Sequence, residues 1–157
     1  VNSPVRAFKA VGGTPRFLCL GEGMIELSGP PGEGMRLSYA GDAMNLAVYL
    51  ARLGCDVAFA TAVGCDPYSE ELLTRLGDER VNTRFIRRDT ARLPGLYVIR
   101  TRPDGERDFH YWRSDSAARA LFKSADVEGF LAAVEPYADI VALTGITLSL
   151  LTMDGVA

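Results

Sequence analysis

The chain has 157 residues, 48% of them hydrophobic, and a formal charge of −3, which suits one domain with a real core. Mild acidity removes the electrostatic case for nucleic acid, and no apolar run approaches the ~20 residues a membrane helix requires. The start of the chain lacks a signal-peptide pattern, and Cys19, Cys55 and Cys65 lack metal-ligand spacing, so buried reduced thiols in a cytoplasmic protein are expected.

Residues 1–17 have no apolar period and contain Pro4, Gly12-Gly13 and Pro15, a loop-and-turn composition. Residues 17–20 form the first expected core strand, ending at Gly21-Glu22-Gly23. Residues 24–27 continue extended, 28–34 are a loop and 35–40 a short strand. A helix is expected next, with Asp42 as N-cap, Leu46, Val48, Tyr49, Leu50 and Leu53 at helical spacing, and Gly54 as the stop. Residues 57–63 are an apolar strand closed by Gly64. Helix and strand together make half of an α/β layer unit. The helix mouth, residues 41–45, exposes N–H groups suited to an anion or a hydroxyl-rich ligand.

A second helix is expected over 69–76, capped by Ser69, with Leu72, Leu73 and Leu76 inward and Gly77 ending it. A strand follows over 81–86 and a polar connection over 87–93. Strands over 96–101 and 108–112 flank the turn Pro103-Asp104-Gly105. They are too polar and aromatic for a sheet covered on both faces, and fit a half-exposed sheet lying over something. Residues 116–122 are irregular or briefly helical. An amphipathic helix spans 125–137, with Val127, Phe130, Leu131 and Val134 on one face, and a buried strand spans 140–143. His110, in an aromatic strand, reads as structural.

Six motifs then stand in one order: GEGMIEL at 21–27, GDAMNLAVYLARLG at 41–54, TAVGCDPYSEELL at 61–73, RLPGLYVIRT at 92–101, GERDFHYWR at 105–113 and LTGITLSLL at 143–151. In them the chain resembles the N-terminal half of a ribokinase-like (pfkB-type) sugar kinase, nearest to the members acting on 2-keto-3-deoxygluconate. The resemblance implies an α/β fold: a layered αβα sheet over 18–157, partial because the C-terminal half is missing, with a small β lid near 24–40 and 94–113. It implies ATP-dependent phosphorylation of a sugar-acid hydroxyl by the intact enzyme, with ATP and Mg²⁺ there but neither expected to bind well to this chain. The implied partners are a small-molecule sugar acid and a second copy through the lid, with no nucleic acid and no membrane.

The AGDAM segment mimics the family's late GAGD motif, whose aspartate is the base, but its context matches the early substrate-binding helix. Asp42 is therefore not assigned as a base, and no catalytic residue is expected in the chain. By resemblance Gly41, Asp42, Ala43, Met44 and Asn45 form one wall of the sugar-acid site, and Tyr97, Tyr111 and Arg113 the other. Asp42 and Asn45 also suit capping and local turn bonding. Arg113 is the expected carboxylate anchor, because guanidinium pairs with carboxylate bidentately. Tyr111 and Trp112 alternate, so Tyr111 is expected inward and Trp112 packed elsewhere. Glu26 falls near a family acidic position. A chain without base or anion hole is expected to be inactive alone; the alternative is a non-catalytic substrate-binding or scaffold fragment. The opening NSPVRAF with VGGTP resembles glutamate-1-semialdehyde aminomutases, pyridoxal-phosphate enzymes in which the residues matching Ser3 and Arg6 face the substrate. Residues 1–17 are read as an appended head without activity of its own.

Overall fold

Short apolar runs punctuated by glycine give this chain its strands, and these sort into two sheets. The computed structural model describes residues 15–30, 32–121 and 126–150. The head with Ser3 and Arg6 lies outside the described residues. The elements run β1 (Arg16–Leu20), β2 (Met24–Gly29), β3 (Arg36–Ala40), α1 (Asp42–Arg52), β4 (Asp56–Val63), α2 (Pro67–Asp78), β5 (Asn82–Arg88), β6 (Gly95–Thr101), β7 (Arg107–Trp112), α3 (Ala117–Leu121), α4 (Val127–Val134), β8 (Ile140–Ala142) and α5 (Gly145–Leu148).

The core sheet is parallel throughout, in the order β5-β4-β1-β8. From Val57 to Val63 every residue of β4 is buried, as two covered faces require. On one face Cys19, Val57, Phe59 and Val63 meet Ala43, Met44 and Ala47 of α1 and Leu72 and Leu76 of α2. On the other, Leu18, Leu20, Ala58, Ala60 and Ala62 meet Ala117 and Leu121 of α3 and Phe130 and Val134 of α4. The result is the expected αβα layering. Each fully buried large side chain, such as Phe59 or Leu72, contributes roughly 1.5–3 kcal/mol.

The second sheet, the lid, has the order β3-β2-β6-β7. β2 pairs antiparallel with β3 and parallel with β6, and β6–β7 is an antiparallel hairpin turned at Gly105 (φ 87°). At its base Ile25 and Tyr39 join the α1–α2 side of the core.

Several local expectations change. Gly41, not Asp42, is the N-cap of α1, and Asp42 is its first helical residue. Asp66, not Ser69, caps α2: its carboxylate accepts from the N–H groups of Tyr68 and Ser69, and Pro67 fills the first helical position, where no N–H is needed. That helix runs past Gly77 to Asp78. α1 buries Ala43, Met44 and Ala47 rather than the expected Leu46, Tyr49 and Leu53, which are exposed. Small side chains let a helix approach the sheet closely, and the larger apolar residues lie on its outer flank. Of the cysteines only Cys19 is buried; Cys55 is intermediate and Cys65 exposed, because it sits in the turn before α2. Leu131 of α4 also stays exposed. Among the described residues no helix is long and apolar enough to cross a membrane.

Candidate functional site

From β1 the chain passes to β4 and β5 on one side, with α1 and α2 on one face of the sheet. It then returns to β8 on the other side of β1, with α3 and α4 on the opposite face. Between β1 and β8 the connections diverge, and the crevice beyond the C-terminal strand ends there is where open parallel sheets bind ligands. Three segments meet at this place: Gly21-Glu22-Gly23 leaving β1, Gly41 and Asp42 opening α1, and Thr144 following β8.

Their packing is close. A β-carbon on Gly21 would stand 2.5 Å from the Ala43 β-carbon and 2.7 Å from Thr147 Oγ1, and one on Gly41 would overlap the Glu22 carbonyl oxygen. Asp42 accepts the N–H of Ala43 at 2.7 Å with one carboxylate oxygen and the hydroxyl of Thr144 with the other. Thr144 caps α5, and Thr147 donates to the Leu20 carbonyl at 3.0 Å. Asp42 therefore ties α1 to α5 across the switch point.

Glu22 is the second centre. Its side chain is 2% exposed. Ser116 donates to one carboxylate oxygen, and Arg113 Nη2 lies 2.8 Å from the other. Burial pushes the Glu22 carboxyl above the usual carboxylate range, against the Ser116 hydrogen bond and the Arg113 and Arg119 charges. Arg113, 16% exposed, is thus a nearly buried cation rather than a surface arginine at a strand end. Its Nε and Nη2 make no aligned hydrogen bond. Gly95 leaves the room this pair needs, since a β-carbon there would lie 2.7 Å from Glu22 Oε1 and 3.0 Å from Arg113 Cβ.

On the lid, Tyr97 and Tyr111 are direct cross-strand partners with ring centroids 5.7 Å apart. Phe109 extends the row, 6.4 Å from each ring. Tyr97 is buried and gives its hydroxyl to Glu26, which also accepts from Ser28 at 3.2 Å and Ser38 at 3.0 Å. Burial, then the Glu26 bond, pushes the Tyr97 hydroxyl above its ordinary value. Tyr111 is 52% exposed on the same face. Trp112 pairs with Leu96 on the opposite face and is 62% exposed.

Of the expected residues, Gly41, Asp42 and Arg113 gather around Glu22, and Tyr97 and Tyr111 adjoin each other. Ala43 and Met44 are buried in the helix packing. Asn45 lines a separate groove of about 410 Å³ between α1 and α2, with Tyr39, Tyr49, Arg75 and Met44. Sequence reasoning missed Glu22, Ser116 and Thr144. The first had a signal: a charged residue between two glycines directly after an apolar strand.

Residues 15–152 match the family described as pfkB family carbohydrate kinase. The 2-dehydro-3-deoxygluconokinase of Dickeya dadantii (strain 3937) is 39% identical over 142 residues, 88% of this chain and 45% of that protein. The structure of the Thermotoga maritima 2-dehydro-3-deoxygluconokinase superposes with a TM-score of 0.73 at 26% identity, covering 88% of this chain and 43% of that one. Xylella fastidiosa fructokinase with bound ATP shares the fold, with a TM-score of 0.67 at 22% identity over 89% of this chain and 55% of that one. The chain spans less than half the length of the 2-dehydro-3-deoxygluconokinases it matches.

The α1 mouth carries the Asp42 carboxylate, and its Ala43 N–H is already taken. The arginine-lined cavity of about 340 Å³ beyond β5 holds Arg87, Arg88 and Arg92, each paired with a carboxylate: Asp126, Glu70, and Asp89 with Asp115, respectively. No group of three or more His, Cys, Asp or Glu side chains suited to a metal occurs among the described residues.

Proposed function

The chain belongs to the pfkB family of carbohydrate kinases, and on that premise we propose that it carries the acceptor-binding part of a kinase for 2-dehydro-3-deoxygluconate or a related sugar acid. The observation that carries this reading is Arg113: a planar cation, nearly buried where the lid returns to the core, with donors still unaligned. A guanidinium so placed pairs with a carboxylate in two parallel hydrogen bonds, which a neutral sugar cannot offer.

In this reading the acid's carboxylate meets Arg113, and the sugar lies between the α1 mouth and the lid. Gly41 lets the backbone come close, and Asp42 keeps a carboxylate at the mouth for hydroxyls to donate to. Tyr111, half exposed, offers a ring face and a hydroxyl. Tyr97 supports that ring from behind, its own hydroxyl being committed to Glu26. Asn45 reaches this ligand only if the sugar extends along α1. We assign these residues to binding and orientation, and no proton transfer or phosphate stabilisation to them. ATP-dependent phosphorylation belongs to the family reading as a whole.

Calorimetric titration of the chain with 2-dehydro-3-deoxygluconate tests the proposal. Binding heat that Arg113→Ala abolishes supports it. Absence of heat, or heat indifferent to Arg113→Ala, overturns it. The outer lid face around Trp112 is our candidate contact for a second copy, and sedimentation of Trp112→Glu against the unaltered chain tests that assignment.

A further inference from the structure

One residue touches both walls of the proposed site and has no part in the reading above. The Glu22 carbonyl oxygen lies directly beneath Gly41, so Glu22 fixes where the α1 mouth stands. Its carboxylate lies against Arg113, so it also fixes where the lid's cation stands. Two of the four chain crossings between core and lid pass here: residues 21–23 lead out, and residues 113–116 lead back. Ser116 closes the return crossing, donating to Glu22 and accepting the Arg119 N–H at 3.4 Å.

The electrostatics point the same way. An arginine with 16% exposure and no countercharge would turn its head into water. Glu22 supplies the countercharge yet does not consume the cation. Two guanidiniums, Arg113 and Arg119, act on Glu22, and the Asp42 carboxylate opposes them, so two cations and two carboxylates share the cluster. Arg113 Nε and Nη2 and Arg119 Nε are buried without hydrogen-bond partners. An incoming carboxylate would meet the edge of Arg113 that keeps its exposure, while the enclosed Nη2 stays against Glu22.

We propose that Glu22 is a positioning residue that holds the Arg113 guanidinium beside the α1 mouth, and thereby makes the site select a sugar acid over a neutral sugar. This deepens the reading of Arg113 as the carboxylate anchor and rests on it. Glu22 acts through Arg113 and touches no substrate.

The test uses the full 157-residue chain, titrated with 2-dehydro-3-deoxygluconate and with D-fructose, as Glu22→Gln, Glu22→Asp, Arg113→Ala and the Glu22→Gln/Arg113→Ala double variant. We expect Glu22→Gln to weaken acid binding about tenfold and leave fructose binding unchanged. Glu22→Asp should restore part of the acid affinity, and Arg113→Ala should add little to Glu22→Gln, because neighbours acting through one group are not additive. The Arg113 Nε–H resonance should shift in Glu22→Gln and move back in Glu22→Asp. Acid binding unchanged in Glu22→Gln but lost in Arg113→Ala would overturn the role of Glu22 and leave the anchor standing. Equal weakening for both sugars, with the Arg113 resonance unmoved, would reduce Glu22 to a core ion and also overturn it. Arg113→Ala binding the acid normally would remove the anchor and the inference together. If Glu22→Gln does not fold, Glu22→Asp decides on the same criterion: acid-specific weakening supports the role, equal weakening overturns it.

Discussion

Tyr97 donates its hydroxyl to Glu26 from the facing position on the neighbouring strand, and the bond leaves the two lid tyrosines with different work. Tyr97→Phe removes a buried donor from a carboxylate that keeps Ser28 and Ser38. Urea unfolding should show a loss of about 1–2 kcal/mol, with affinity for the sugar acid little changed. Tyr111→Phe should do the reverse: stability within about 0.5 kcal/mol, as for other exposed sites, and a weaker complex.

Gly41 and Gly54 bracket α1 and fail differently when given a side chain. Gly54 has φ 84° with nothing near a β-carbon, so Gly54→Ala carries only backbone strain, about 1 kcal/mol. Gly41→Ala drives a methyl into the Glu22 carbonyl, and helix and strand exit must separate. Thermal unfolding should show a loss of roughly 1–3 kcal/mol, the range of overpacked core sites, together with lost acid binding.

The raised carboxyl of Glu22 has a pH signature with a definite sign. The folded state binds the Glu22 proton more tightly than the unfolded state, where a glutamate titrates near about 4.3. This residue's contribution to stability therefore falls as pH rises from that value to the folded one, and is level above it. Glutamine does not titrate, so stability of the unaltered chain relative to Glu22→Gln should decline with pH over that window. Salt-bridged carboxylates such as Glu79 and Asp139, held low by Arg52 and Arg16, give the opposite slope in both proteins and cancel.

Thiol labelling should separate the three cysteines. Burial raises the Cys19 thiol to about 11, and the side chain is fully enclosed. At pH 8 a maleimide followed by mass spectrometry should modify Cys65 first and Cys55 more slowly. Cys19 should react only in denaturant.

Much of the fold was legible because its signals are local. Gly54 and the apolar run after it placed the end of α1 and nearly all of β4, and Pro103-Asp104-Gly105 placed the lid hairpin. Caps were read one to three residues off, because glycine and aspartate compete for the same position at Gly41-Asp42, and Asp66 precedes a proline. The buried face of α1 was misread because spacing favours its leucines, whereas the closeness of β1 and β4 favours alanines. The parallel pairing of β2 with β6 has no local signal at all. For the site, residue types suggested Arg113 and the tyrosines, but the countercharge Glu22 lies 91 residues away in sequence from Arg113 and is brought there only by the fold.

That long-range pairing also orders events in time. Glu26 and Tyr97 are 71 residues apart, and α1, β4, α2 and β5 all lie between the strands that carry them. Closing so long a loop costs entropy that a preformed core reduces, so the lid is expected to zip up after the layers beneath it have docked. A chain caught before that step holds a finished helix mouth and no opposite wall. On the proposed function, sugar-acid binding should recover during refolding more slowly than helical signal, as a clock for the last step of assembly.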